Sequence, residues 1–474
     1  MTENINTPEA FSKNFLTLPQ PLQCIIIEVA GKMEDLYVSD HMGADMAETE
    51  TEIVELTRKA GADLFGSIIE KRDDGAPRVV RDGQSWYRTK PSRGVLTCLL
   101  GKVGYRRSLY RCRGERNSIC PVDESLVLLP GAMTRPAARL ATWMVAECPP
   151  RNCRDLFEQA GGMNPSVSTL QRLLSSLHWA WQGMEEEALD EIRAEEEIPE
   201  GATQVSVSLD GVKVHLRKGE YPIGIDPAKD KSVTNWRDAA CGTVSFHDRE
   251  GNTLRTISSG RMPEKKKWTL KRWLKNEFEP IKEARPDLTL VGIADGADDN
   301  WEYLDAMMPD VQVLDFYHAT VHLAKASEHA VSKDKWFRNW RHILRHEPGG
   351  VERVIRAVRG LHERSRSDKA GKELEDVLKY FRNHRHRMNY AELSRQGIPI
   401  GSGIVEAANK THVGERLKKS GMRWGMEGGQ AVLTFRSLVK SKRFDRAWEM
   451  IVVAIDRKVP DNDNREKLDL AKAA

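Results

Sequence analysis

The sequence predicts a multidomain α/β protein, and three patterns carry that prediction. After residue 200, short apolar stretches alternate with amphipathic helical ones. A basic segment rich in strand-forming residues precedes them, and an acidic run separates the two parts. At 474 residues the chain is long enough for two or three domains, each with its own core.

In chain order, residues 43–71 read as an amphipathic helix, with Ile53, Leu56, Ala60, Leu64 and Ile68 three or four apart. The turn residues Asp73, Asp74, Gly75 and Pro77 end it. Residues 86–116 read as short strands carrying nine Arg/Lys against one acid, Glu115, with Trp86, Tyr87, Tyr105 and Tyr110 interleaved. Residues 134–180 read as short helices broken at Gly161-Gly162 and Pro165-Ser166, which suits either a helix-turn-helix or plain helix packing. Nine Asp/Glu and one Arg over 185–200 predict a solvated helix leading into a linker.

Beyond it, Val205, Val207 and Leu209 alternate with serines in a strand expected to end at Asp210-Gly211. The segment Asp248–Asn252 reads as a hairpin turn, 267–284 as a helix, and 288–294 and 311–314 as buried strands ending in Asp295 and Asp315. Residues 331–390 read as a basic helical segment, and the chain from Ser402 onward is again helical. The expected divisions are an N-terminal helical region (1–85), a basic β-rich segment (86–133), and a helical, helix-turn-helix-like region with the acidic linker (134–200). A catalytic core (201–330 and 399–450), a helical insertion (331–398) and a C-terminal tail (451–474) complete them.

Composition narrows the function. With 40% hydrophobic and 30% charged residues, and no apolar run near the roughly 20 residues of a membrane span, the chain reads as globular and outside the membrane. The apolar run Cys24–Ile27 is too short for a signal peptide, so a cytoplasmic protein of bacterial type is expected. Seven scattered cysteines do not form a disulfide framework. Cys112 and Cys120 have seven residues between them and Cys98 has no near partner, so no structural zinc is expected.

Three acids stand out by position. Asp210 and Asp295 follow apolar strands directly, and Glu406 falls in the first turn of a helix that Ser402 could cap. Carboxylates on strand ends and a helix can be held close together, which is what binding two Mg²⁺ or Mn²⁺ ions requires. Each also has a structural explanation: Asp-Gly is an ordinary turn, and Glu406 with Lys410 could be an exposed ion pair. Asp315 is a rival ligand.

The stretch Gly401-Ser402-Gly403-Ile404-Val405-Glu406-Ala407-Ala408-Asn409-Lys410, continuing through Arg416 to Trp424, resembles the C-terminal motif of DDE-type transposases of the bacterial ISKra group, distant relatives of Mutator-like transposases. Ser208-Leu209-Asp210-Gly211 and Ala294-Asp295-Gly296-Ala297 resemble that family's first and second acidic motifs. Asp315-Phe316-Tyr317-His318 resembles the element that follows the second. The resemblance implies a ribonuclease H-like core with a helical insertion, and metal-dependent cleavage and joining of DNA strands at element ends. It implies catalytic and metal-binding roles for Asp210, Asp295 and Glu406, which lie 85 and 111 residues apart.

DNA, as terminal inverted repeats and as target, is the expected partner of a chain acting as a homodimer or larger homo-oligomer, nucleoid-associated in the cell. Lys410, Arg416, Lys418, Lys419, Arg423 and Trp424 are expected to meet DNA beside the metal site, with Trp424 stacking on a base or else packing the helix end. His318 positions DNA, braces the site or fills the core. Arg106, Arg107 and Arg111 are the candidates in the basic strands. A nuclease without strand transfer, and a descendant kept for DNA binding, are the competing functions.

Overall fold

A computed structural model describes residues 15–38, 46–81, 83–230, 232 and 234–457. Of the helix expected over 43–71, residues 43–45 lie outside the described residues, as do residues 458–474 of the expected tail. The chain forms two compact units, residues 1–180 with 450–474, and residues 181–449. Among the described residues no helix is long and apolar enough to cross a membrane.

The first unit begins with helices Gln20–Val38 and Met46–Glu70. Strands β1 (Arg78–Arg81), β2 (Gln84–Arg88), β5 (Tyr110–Arg111) and β6 (Ser118–Ile119) make an antiparallel sheet, and β3 (Ser92–Cys98) pairs with β4 (Gly101–Arg107) as a hairpin. Alternate residues of β3 and β4 point inward, as period-two strands require, so Leu96, Val103 and Tyr105 join Ile69 and Val122 in one core. Cys98 and Cys120 belong to that apolar cluster, whereas Cys112 is half-exposed. Helices Arg135–Glu147, Pro150–Ala160 and Val167–Gln182 follow.

The second unit is built on a five-stranded mixed sheet in the order β11-β10-β7-β8-β9. Strands β7 (Gln204–His215), β8 (Trp236–His247) and β9 (Thr253–Arg261) form an antiparallel meander. Strand β10 (Thr289–Ala294) returns parallel to β7 on its other side, and β11 (Val311–Leu314) lies parallel to β10. Parallel neighbours need crossovers, which helices Trp268–Ala284 and Asp298–Ala306 supply. Although Val and Ser alternate in β7, every residue from Gln204 to Leu209 is buried. Ser206 meets this by hydrogen-bonding His247 Nε2 through its hydroxyl (2.8 Å).

Helices Lys333–His346, Gly350–Glu363, Asp368–His384 and Tyr390–Arg395 follow helix Phe316–Ser327. The chain then returns through residues 397–402 to helix Gly403–Ala408, a π-helical segment Asn409–Gly414, and helix Met426–Lys440. The return is anchored where two left-handed glycines meet backbone to backbone. A Cβ on Gly397 (φ 70°) would lie 2.1 Å from the Arg249 carbonyl, and one on Gly251 (φ 85°) 2.4 Å from the Gly397 carbonyl.

The acidic stretch forms the expected helix, but not a wholly solvated one. Helix Glu185–Glu195 buries Ala188, Leu189 and Ile192, and arginines remote in sequence take its carboxylates: Arg261 takes Glu185, and Arg446 takes Glu191 and Glu195. A spaced apolar stripe thus outweighs the charge run. At the end of this helix Arg443 donates to both oxygens of Glu277 (2.8 Å each) and to both of Glu196 (2.9 and 2.7 Å). Glu277 and Arg443 are 1% and 3% exposed, so neither charge has water as an alternative partner.

Removing one member of a buried pair strands the other. Arg443→Met should therefore lower the unfolding free energy by about 3–5 kcal/mol in urea titrations; a loss under about 1 kcal/mol, the range of surface pairs, would remove this network from the core.

His412 gives a pH-dependent counterpart. Burial, reinforced by the charges of Arg436 and Lys440, lowers its pKa to about 3, and its Nε2 lies 3.0 Å from the Ser258 hydroxyl. Between pH 6.5 and 3 the unfolded chain binds a proton there and the folded chain does not, so stability falls as pH falls. The slope is about 1.4 kcal/mol per pH unit. His412→Gln should flatten the stability profile by that amount between pH 6.5 and 4.5, measured by urea denaturation against wild type.

Candidate active site

Strand register places the three aspartates in a row. Ser208 of β7 is opposite Ile293 of β10, which is opposite Val313 of β11. Two residues further on come Asp210, Asp295 and Asp315, at the carboxyl ends of the parallel pairings, where open α/β sheets place ligands. Adjacent strands lie about 4.8 Å apart, so these carboxylates crowd one another.

Asp210 differs from the sequence expectation in one respect. Its strand does not end there: β7 runs on to His215, with Asp210 opposite Cys241 and Val214 opposite Arg237. Pairing with β8 overrides the turn tendency of Asp-Gly, and Asp210 marks the point where β7 parts from β10. Its Oδ1 accepts from the Gly211 amide (2.7 Å) and its Oδ2 from Asn409 Nδ2 (2.7 Å). Burial, helped by the neighbouring Asp295 charge, holds its carboxyl above the usual range despite these hydrogen bonds.

Asp295 Oδ1 accepts from the Ala297 amide (3.1 Å) and from Asn300 Nδ2 (2.9 Å), and its carbonyl accepts from the Trp301 indole (2.6 Å). Among the described residues Asp295 Oδ2 has no hydrogen-bond partner. Asp298 and Asp299 do not cap the following helix; its N-cap is Ala297, and they fall in its first turn. Gly296 is required beside them, because a Cβ there would lie 2.5 Å from the Tyr380 ring.

Asp315 is differently employed. It is fully buried, its Oδ1 accepts from the Ser402 amide (2.7 Å), and its Oδ2 accepts from the His318 amide (2.8 Å) and from His318 Nδ1 (2.6 Å). Burial opposes its ionisation, but these donors outweigh it and keep the carboxyl below the ordinary range. It braces the start of helix Phe316–Ser327 and the approach to helix Gly403–Ala408 at once. The hydrogen bond to Asp315, against the cost of burial, raises His318 to about 9, with the charges of Asp295 and Asp210 adding to it.

Glu406 makes no ion pair with Lys410 among the described residues. Ser402 does not cap the helix through its side chain; its hydroxyl donates to Glu406 Oε1 instead (3.2 Å). Among the described residues, one set of three metal-ligating groups has ligand atoms all within 4.8 Å of one another: Asp315, His318 and Glu406. Asp210, Asp295 and Glu406 are not drawn together to that distance, although the charges of Asp210 and Asp295 both act on His318.

The residues expected to meet DNA separate into groups. Lys410, Lys418, Lys419 and Arg423 are exposed. Arg416 is placed otherwise: it is 1% exposed, with its guanidinium 5.6 Å from the centre of the Trp424 ring, so it supports that ring and does not reach a phosphate. Trp424 is half-buried, gives its indole N–H to the Leu417 carbonyl (3.0 Å), and pairs through its backbone with His215, the last residue of β7, and with Arg217 beyond it. In the first unit Arg106 and Arg111 are exposed, while Arg107 is tied to Asp123 in an ion pair.

Asn300 and Asn409 are site residues that sequence reasoning missed. Each buries its side chain and gives Nδ2 to one of the aspartates. Asn409 was within reach, three residues beyond Glu406 and so on the same helical face.

No family model matches this chain, and no curated protein matches it. Among solved structures it is similar to the Drosophila P element transposase strand transfer complex, with a TM-score of 0.25 and 11% identity over 67% of this chain and 80% of that one. At that score the similarity carries no weight for fold or function.

The contrast between Asp315 and Asp210 is measurable. Asp315→Asn would turn an amide donor toward the His318 donors and should cost about 1–3 kcal/mol of stability. Asp210→Asn removes a carboxylate whose charge burial disfavours, and should leave stability unchanged or raise it. Urea denaturation in chelator-treated buffer checks both; equal losses would give the two aspartates the same structural role.

Proposed function

We propose that the protein is a DNA transposase of the DDE type, with a ribonuclease H-like core, that cleaves and joins DNA strands by two-metal phosphoryl transfer. The observation that carries this reading is the register that aligns Asp210 and Asp295 on adjacent parallel strands, beside Asp315 and His318, against which a helix remote in sequence sets Glu406. The strand order, a three-stranded antiparallel meander with two parallel strands added at its first strand, agrees with a ribonuclease H-like core.

The donor set suits Mg²⁺ or Mn²⁺, which prefer oxygen ligands. Asp295 Oδ2 and Glu406 Oε2 have no hydrogen-bond partner among the described residues. The carboxyl of Asp210 is held up by burial and by Asp295, a cost that a bound cation offsets. Asp210, Asp295 and Glu406 would hold the ions. Divalent metals at such a site activate water or a 3′-hydroxyl and stabilise the leaving oxygen. His318, its Nδ1 fixed by Asp315, offers Nε2 as a cationic donor toward a phosphate oxygen. Exposed Lys410, Lys418, Lys419 and Arg423 would take backbone phosphates, an affinity that falls steeply with salt.

Glu406→Gln should reduce Mg²⁺-dependent nicking of duplex DNA to background while leaving DNA binding, measured by fluorescence anisotropy, within about threefold (under 0.7 kcal/mol) of wild type. Nicking that survives in both Glu406→Gln and Asp210→Ala would remove the catalytic role. Transfer of a pre-cleaved end to target DNA then separates a transposase from a nuclease.

A further inference from the structure

Asn300 holds Asp295, and a second residue decides which way Asn300 faces. The Asn300 side chain is 1% exposed, so water cannot satisfy whichever end of its amide lacks a partner. With Nδ2 toward Asp295 the amide donates to a carboxylate (2.9 Å); turned over, it would set Oδ1 against that carboxylate. Lys267 Nζ lies on the other side, donating to Asn300 Oδ1 at 2.7 Å. An ammonium has donors and no acceptor, so Lys267 and Asp295 demand the same amide orientation.

The backbone that delivers Lys267 is itself unusual. Lys266 (φ 54°) and Lys267 (φ 53°) are consecutive left-handed residues, neither a glycine, at the start of helix Trp268–Ala284. L-residues adopt this conformation at a cost, and such costs concentrate at functional positions. One turn on, Lys271 Nζ donates to the Asp299 carbonyl (2.9 Å). Lys267 and Lys271 lie 3.5 and 3.6 Å from the Asp299 carboxylate. The two lysines clamp the first turn of the helix that bears Asn300.

We propose that Lys267 is a positioning residue for the metal site: through Asn300 it fixes the Asp295 carboxylate, committing Oδ1 to the amide and leaving Oδ2 for the ion. The proposal rests on Asp295 being a metal ligand. Groups that orient a ligand from behind typically contribute 10–100-fold to metal affinity.

The test is Mn²⁺ binding to the full-length protein, followed by the electron paramagnetic resonance signal of free Mn²⁺, so that no turnover is needed. Lys267→Met should weaken binding about tenfold or more while the circular-dichroism melt stays cooperative. Asn300→Ala should weaken it comparably, and the double variant should bind no more weakly than Asn300→Ala alone, because Lys267 acts through that amide. If Lys267→Met does not fold, Lys267→Gln is measured against the same expectation. Wild-type affinity in the folded Lys267 variant, or a double-variant loss equal to the product of the single losses, overturns the proposal. Asp295→Ala separates the two levels. If it binds Mn²⁺ like wild type, the metal-site reading itself fails. If it loses Mn²⁺ while the Lys267 variant does not, only the positioning role fails.

Discussion

The arrangement depends on the pairing of β10 with β7 and of β11 with β10. Parallel pairing in a fixed register leaves no freedom in where the next residues fall, so Asp210, Asp295 and Asp315 stand at the same height on three neighbouring strands or directly beyond their ends. Like charges at that spacing oppose folding, and the surroundings address each in its own way. Asp315 accepts from three donors, whereas Asp210 and Asp295 each accept from two, a nearby backbone amide and one buried asparagine. What keeps the row intact is the covered sheet beneath it, where β7 and β10 are buried through most of their length.

From this follows a division of labour among the acids. Asp315 already holds three donors from two segments of the chain, so it holds the site together. Asp295 keeps an oxygen free, and Glu406, tied only to the Ser402 hydroxyl, keeps another. The same Asp315 receives the amide of Ser402, whose carbonyl accepts from the Glu406 amide (2.9 Å). One buried aspartate therefore joins the end of β11 to a helix 87 residues later in the chain.

Much of the second unit was legible because its signals are local. Val311–Leu314 is a short apolar run that became β11, and Asp248–Asn252 carried the turn chemistry of the β8–β9 hairpin. What misled was local chemistry overruled by distant partners. Asp210-Gly211 has turn residues, but twelve residue pairs with β8 keep it extended. The acidic stretch reads as solvated until Arg261, Arg443 and Arg446 are placed against it. The basic run after Glu406 hid Arg416 beneath Trp424 because positive charge in a sequence does not say which side chain points inward. Of the site, the acids were visible because the aspartates follow apolar runs and Glu406 opens a helix; Asn300 and Lys267 were not, because neither residue type at the start of a helix signals what it faces.

The π-helical segment Asn409–Gly414 lies between Glu406 and the exposed cations from Lys418 onward. Widening one turn takes up an extra residue without breaking the run of backbone hydrogen bonds, so the stretches on either side keep the phase of one continuous helix. Glu406 and Asn409 keep the phase of an ordinary helix and face the carboxylates, while His412 and Arg416 turn toward the interior. The segment thus takes up a residue for which a regular turn has no room, between the stretch that carries Glu406 and the buried stretch that carries Arg416. A one-residue deletion within it would close the turn to a regular helix and leave both stretches in the phase they already hold, so the widened turn marks where the chain carries one residue more than its neighbours need.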